Sequence, residues 1–108
     1  MRQVLWVAAL TSLIGCGTEA CAQGGDVAAG RQLAQRWCSE CHQMDGRPGR
    51  VESHSESLSF LEIANEPSIT PLSLRVFFRS SHQNMPDFHI SPSQADDLSA
   101  YILSLKHK

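Results

Sequence analysis

The sequence has no long hydrophobic run, no excess of basic residues and no alternating strand pattern. No apolar stretch in the 108 residues reaches the ~20 residues that a membrane-spanning helix needs. Nine Lys and Arg residues stand against eleven Asp and Glu residues, so the chain has no basic run that would indicate nucleic-acid binding. Because 42% of the residues are hydrophobic, a disordered chain is also excluded. A single globular domain is the class that remains.

The first 22 residues have the layout of a secretory signal. Arg2 is followed by an apolar core, and the segment ends in the small-residue sequence ACA that is typical of a signal-peptidase site. We therefore predict a cleaved signal peptide over residues 1–22 and an exported domain over residues 23–108. A second interpretation stays open, because residues 13–16 (LIGC) resemble a bacterial lipobox. That site would leave a lipid anchor on Cys16 instead of a free protein.

Helical spacing of the apolar residues predicts an all-α fold. The expected helices cover VAAGRQLAQRW, FLEIAN, a segment that ends at Arg79, and a last segment close to the C-terminus. The residues predicted to cap them are Asp26, Ser59, Thr70 and Ser91. The polar, turn-rich stretch between the first two helices predicts a loop.

Only two cysteines follow the signal segment, in the sequence Cys38-Ser39-Glu40-Cys41-His42. A disulfide between them would close a very short loop with little entropic benefit. The pattern C-x-x-C-H is typical of haem attachment, since two thiols form thioether bonds to the haem vinyl groups and the histidine binds the iron. A thioredoxin-type motif would need a nearby βαβ pattern, and structural zinc would need four ligands. We therefore predict one haem c, attached through Cys38 and Cys41, with His42 as the proximal iron ligand.

The second axial ligand of the iron must come from elsewhere in the chain. Met44 follows His42 too closely to reach the opposite face of the ring easily. Met85 lies 43 residues after His42, and Pro86 disfavours helical torsions at Met85, so its side chain can project from a loop. We therefore predict Met85 as the distal iron ligand. His82 is the rival.

These features resemble the class I, monohaem, bacterial-type cytochrome c family. The resemblance covers nearly all of residues 26–108. It rests on Gly30 before the haem motif, the motif itself, the sequence Asn-Met-Pro around Met85, and the closing sequence DLSAYIL. It implies a small cytochrome c fold of three to four short helices packed around one covalently bound haem. It also implies that the first and last helices cross with Gly30 against Tyr101 and with Leu98 beside it.

The resemblance also implies a proline carbonyl that accepts a hydrogen bond from the proximal imidazole. Pro48 is the nearest proline in the sequence that could supply it. Apolar residues should surround the ring and lower the local dielectric. The residues expected there are Leu58, Phe60, Leu61, Ile63, Phe77, Phe78 and Phe88.

The function implied by the resemblance is electron transfer rather than catalysis. With both axial positions of the iron filled, no substrate can bind the metal, and a methionine ligand raises the reduction potential. We expect a periplasmic monomer, or a membrane-anchored lipoprotein, that docks transiently on redox proteins through the haem edge. Two alternatives remain: a tightly bound haem subunit of a specific oxidoreductase complex, and a gas- or peroxide-reactive haem protein with a labile sixth ligand.

Overall fold

The computed structural model describes residues 24–107, so the predicted signal peptide of residues 1–22 lies outside the described residues. The described chain forms four α-helices and one short 3₁₀ turn, and it contains no β-strand. The helices are α1 (Val27–Trp37), α2 (Phe60–Asn65), α3 (Pro71–Phe78) and α4 (Pro92–Ser104), and the 3₁₀ turn is Glu52–His54. The all-α prediction is confirmed. None of these helices is both long enough and apolar enough to cross a membrane.

Each helix begins at the residue that the sequence predicted, because a side chain there satisfies backbone N–H groups that have no partner within the helix. The Asp26 carboxylate accepts a hydrogen bond from the backbone N–H of Ala29 at 2.9 Å. The other three helices begin with reciprocal capping boxes. Their residue pairs are Ser59 with Glu62, Thr70 with Ser73, and Ser91 with Gln94.

The first and last helices pack backbone against backbone at Gly30. A Cβ atom at this position would overlap the carbonyl group of Asp97 and crowd the backbone nitrogen of Leu98. A Cβ atom at Gly25, just before α1, would overlap the backbone of Asp96 in α4 to a similar extent. Only glycine allows this approach, and no local feature of the sequence predicts the contact at Gly25.

The atoms nearest to a Cβ at Gly30 belong to the backbone of Asp97 and Leu98. Leu98 is therefore beside Gly30 as expected. The ring of Tyr101, one turn further along α4, lies edge-on to Phe60 at a centroid distance of 5.9 Å. Its contact with Gly30 stays a prediction.

The hydrophobic core lies mainly between α1 and α4, and α2 and α3 close it on the side where the functional residues gather. Its buried members are Leu33, Ala34, Cys38, Phe60, Ala64, Leu74, Leu98, Tyr101, Ile102 and Leu105. α3 is fixed to α4 by buried Leu74 and by an ion pair between Arg75 and Asp96 at 2.5 Å. One cysteine of the C-x-x-C-H motif is therefore part of the core.

Candidate haem site

A cavity of about 600 Å³ opens between the end of α1, α2, α3 and the loop that follows α3. This volume lies within the ~300–1,000 Å³ range of cofactor pockets. The cavity is lined by all four residues predicted to hold the haem, which are Cys38, Cys41, His42 and Met85. Residues that are separated by more than forty positions in the sequence therefore meet around one space.

The two cysteines lie in a turn that continues directly from α1. The backbone N–H of Cys38 donates to the carbonyl of Ala34 at 2.8 Å, and the N–H groups of Cys41 and His42 both donate to the carbonyl of Cys38. The two sulfurs are not joined. Cys38 is buried, whereas Cys41 is partly exposed. This turn brings both thiols to the cavity wall next to the imidazole.

Burial disfavours the charged thiolate form of both cysteines. It raises the pKa of Cys38 to about 11. Burial also raises the pKa of Cys41, with further contributions from the negative charges of Glu40 and Glu56. Both groups are therefore neutral thiols near pH 7. In redox-active Cys-x-x-Cys motifs the thiol pKa is lowered, so the electrostatics do not match a thioredoxin-type site.

The His42 imidazole is oriented by the start of α2. Its Nδ1 lies 2.6 Å from the carbonyl oxygen of Leu58, which can only accept, so Nδ1 carries the proton and Nε2 is the nitrogen with a free lone pair. The expectation that Pro48 supplies this acceptor is wrong. The loop after the haem motif continues past Pro48, and Leu58, just before α2, is the residue whose carbonyl reaches the ring.

Met85 and His82 both line the cavity, but their side chains are held differently. Asn84 has a φ of 63°, and the backbone N–H of Met85 donates to the carbonyl of His82 at 3.3 Å, which closes a tight turn. The His82 ring stacks on Phe77 at a centroid distance of 3.5 Å. Its Nε2 donates to the Phe77 carbonyl at 2.8 Å. That nitrogen is therefore engaged by the backbone, and only Nδ1 of His82 keeps a free lone pair.

The cavity wall is mostly aromatic and aliphatic. Six of the seven apolar residues expected around the ring do line it: Leu58, Phe60, Ile63, Phe77, Phe78 and Phe88. Leu61 does not, because it lies off the face of α2 that carries Phe60 and Ile63. Five further apolar residues line the cavity that were not predicted to do so: Trp37, Ile69, Leu74, Pro86 and Ile102. Trp37 had a usable signal, since it precedes the haem motif on the apolar face of α1.

The charged residues at the cavity are all acidic. Glu40, Glu56 and Glu66 line it, and no lysine or arginine of the described chain does. All three glutamates are exposed. The part of the cavity next to Cys41 therefore carries negative potential, because the charges of Glu40 and Glu56 raise the pKa of that thiol.

These observations fit a covalently held haem. The space has the required size, two neutral thiols and an oriented imidazole lie on its wall, and a thioether reaches it from a separate loop. A different metal site is not indicated, since no group of three His, Cys, Asp or Glu side chains within residues 24–107 could hold an ion.

Comparison with known proteins also indicates a haem protein of the cytochrome c type. The family described as cytochrome C oxidase, cbb3-type, subunit III matches residues 25–102. Cytochrome c-552 of Bradyrhizobium diazoefficiens is 34% identical over 85 residues, which cover 79% of this chain and 80% of that protein. The cytochrome bc1 complex cytochrome c subunit of Corynebacterium diphtheriae is 34% identical over 101 residues, or 91% of this chain.

The chain spans only 34% of the length of that second relative. No solved structure matches the chain. The family match covers all four helices through Ile102 and includes the haem motif and the methionine loop. The chain therefore belongs to this family of class I cytochromes c, and its function is electron transfer by a covalently bound c-type haem.

Proposed function

We propose that Cys38 and Cys41 bind the haem through thioether bonds, that His42 is the proximal iron ligand and that Met85 is the distal ligand. The observation that carries this assignment is that all four side chains line one apolar cavity of about 600 Å³. When bound, the haem supplies an iron that cycles between the ferric and ferrous states.

The residues of this site would leave the iron no free ligand position and would surround it with apolar side chains. The carbonyl of Leu58 holds the proton of His42 on Nδ1, so Nε2 is the ligating nitrogen. A neutral thioether favours ferrous iron, and the apolar wall lowers the dielectric around the charge. His42 and Met85 would hold the iron from the protein side, so the iron would exchange electrons with little rearrangement and without binding a substrate. The proposed activity is therefore electron transfer without catalysis.

The proposed setting is the periplasm, where residues 23–108 act as a monomer after residues 1–22 are removed. The leader sequence supports export. The name of one relative makes it a subunit of the cytochrome bc1 complex, which supports a membrane redox complex as one partner. The cavity side with the partly exposed Cys41 is the proposed docking point, because electron transfer requires close approach to the haem edge.

The test is the intact mass of protein exported by a host that attaches haem to C-x-x-C-H motifs. We expect the mass of residues 23–108 plus one haem, and haem stain that follows the protein through a denaturing gel. The double variant Cys38→Ser/Cys41→Ser should lose both signals, whereas Ser39→Ala in the same turn should keep them. An added lipid mass on Cys16 would instead show that the mature protein is the lipid-anchored form. Wild-type protein without covalent haem would contradict the assignment.

A further inference from the structure

The ring of Phe60 lies against the imidazole of His42. The two ring centroids are 5.0 Å apart and the two planes differ by 10°. Phe60 is 4% exposed and lines the cavity. Rotation of the imidazole about its Cβ–Cγ bond would drive its edge into the face of Phe60. The stacked ring therefore restricts the plane that the imidazole can adopt.

Phe60 is itself held on several sides. Its backbone N–H donates to the carbonyl of Gln43, the residue after His42, at 3.0 Å. Its ring meets Tyr101 edge-on, with planes 88° apart. Tyr101 is 2% exposed, and its hydroxyl donates to the Asp45 carboxylate at 3.1 Å and accepts from the Asp45 N–H at 3.0 Å. The Phe60 ring is therefore held in place by buried Tyr101, and Asp45, in the loop after the haem motif, holds Tyr101 in turn.

The same short segment contacts the imidazole a second time. Leu58 accepts the Nδ1–H hydrogen bond of His42, and Phe60 provides the ring two residues later. Ser59 between them is fully buried, and its N–H and hydroxyl both donate to the Glu62 carboxylate, at 2.8 and 2.9 Å. The capping box of α2 therefore fixes the spacing between the carbonyl and the ring that clamp His42.

We propose that Phe60 is a positioning residue for the iron ligand His42, acting with the Leu58 carbonyl to set the plane of the imidazole. The inference rests on the proposed role of His42. The plane of an axial imidazole determines how its π orbitals overlap with the iron d orbitals, and its hydrogen bond determines how strongly it donates electrons. Phe60 thereby controls electronic properties of a metal that it does not bind.

The test compares Phe60→Leu with Phe78→Leu in the haem-bound protein. Both residues line the cavity, but the recorded ring contact of Phe78 is with Phe77 and not with His42. For Phe60→Leu we expect altered g-value anisotropy in the electron paramagnetic resonance spectrum of the ferric form, a changed pattern of haem-methyl NMR shifts, and a shifted reduction potential. The His42 Nδ1–H should exchange roughly two- to tenfold faster, as expected from the loss of one aromatic contact. Phe78→Leu should leave the g-value anisotropy and the His42 Nδ1–H exchange rate at wild-type values, because these two readouts report on the imidazole, whereas the reduction potential also responds to the apolar wall that Phe78 shares.

Phe60→Tyr keeps a flat ring and should restore the wild-type spectra, which a purely volumetric role would not require. If Phe60→Leu fails to accumulate, Phe60→Met provides the comparison without a ring. Wild-type spectra in the variant without a ring, or equal changes in Phe78→Leu, would overturn the proposal. Wild-type protein that lacks covalent haem or His42 ligation would instead contradict the proposed function, so the two failures are distinguishable.

Discussion

At the scale of single residues, the proposed ligand Met85 would decide whether the iron has a free ligand position. It reaches the cavity from a turn that depends on the positive φ of Asn84 and on the hydrogen bond to the His82 carbonyl. Met44 does not line the cavity and packs on the hydrophobic core instead. Met85 and Met44 therefore differ in their surroundings, and a substitution at Met44 is a natural control for the same substitution at Met85.

We expect Met85→Leu to abolish the weak charge-transfer absorption between methionine sulfur and ferric iron and to lower the reduction potential. Leucine keeps the volume but cannot bind iron, and a harder ligand in its place stabilises the ferric state. Absorption spectra and potentiometric titration measure both effects. Met44→Leu should retain the band, and an unchanged band in Met85→Leu would remove Met85 from the iron.

Carbon monoxide gives a second readout of the same residue. The reduced wild-type protein should not bind it readily at neutral pH, because the proposed ligand Met85 would occupy the sixth position, whereas reduced Met85→Leu should bind it. A rapid spectral change in the wild type would instead indicate a gas-reactive haem protein.

The side chains proposed to hold the haem can be identified in the sequence because haem attachment and iron ligation need particular residue types. The acceptor for His42 could not, since any residue can supply a backbone carbonyl, and the position of Leu58 depends on how a long loop returns to α2. The prediction that Leu61 borders the ring failed for a related reason. A six-residue helix can turn any of several apolar residues toward the cavity, and only its packing decides which.

At the scale of elements, the contact between α1 and α4 depends on a missing side chain at Gly30. We expect Gly30→Ala to lower the free energy of unfolding by about 1–3 kcal/mol, because the new Cβ overlaps the backbone of Asp97 and neither helix can yield locally. Denaturant unfolding of the haem-bound protein measures the change. Gly24→Ala is the matched control, since a Cβ there has no neighbour within 4 Å. Equal stability of the two variants would mean that the helices do not touch at Gly30.

Asp45 ties the loop after the haem motif to two helices. Its carboxylate pairs with Arg31 of α1 at 2.8 Å and accepts from Tyr101 of α4. The hydrogen bond from Arg31, with a further one from Tyr101, holds the pKa of Asp45 below its ordinary value. Because the folded pKa is lower than the unfolded value of about 4, this stabilisation is present above pH 4 and is lost as the pH falls through the folded pKa.

Asp45→Asn should therefore reduce the loss of stability between about pH 5 and pH 2, measured as unfolding midpoints across that range. Asp87→Asn is the control, because Asp87 is exposed and does not contact this network. An acid dependence of Asp45→Asn equal to that of the wild type would exclude the carboxylate as a contributor.

The beginnings of the helices were predictable because caps and prolines are local signals that act within four residues. Contacts between distant elements were not. Gly25 resembles a loop glycine in the sequence, and only the fold places it against Asp96. The Thr70–Ser73 capping box also escaped prediction, since serine at the third helical position is a weaker signal than glutamate or glutamine.

At the scale of the whole molecule, the distribution of charge matters more than its sum of −2. Three arginines are neutralised by ion pairs: Arg31 with Asp45, Arg50 with Glu62, and Arg75 with Asp96. The three glutamates at the cavity take part in no ion pair within residues 24–107. They come from three separate segments, so their gathering at one place could not be predicted from the sequence.

We expect a cationic metal complex to exchange electrons with this protein faster than an anionic complex of matched driving force. The difference should shrink as salt screens the carboxylates. Glu40→Gln and Glu56→Gln should each slow the cationic reagent roughly twofold at low ionic strength, the effect of one charge several ångströms away in water. Stopped-flow mixing measures the rates. Glu52→Gln, outside the cavity, is the control, and rates that do not depend on reagent charge would contradict the expectation.

The pairing of α1 with α4 joins the first and last helices of the described chain. The core cluster that contains Cys38 also includes Leu98, Ile102 and Leu105, all from the final helical segment and its cap. A nascent chain that has not yet reached α4 lacks this part of the core. The buried environment of Cys38 is therefore completed only when the last helix of the described chain docks.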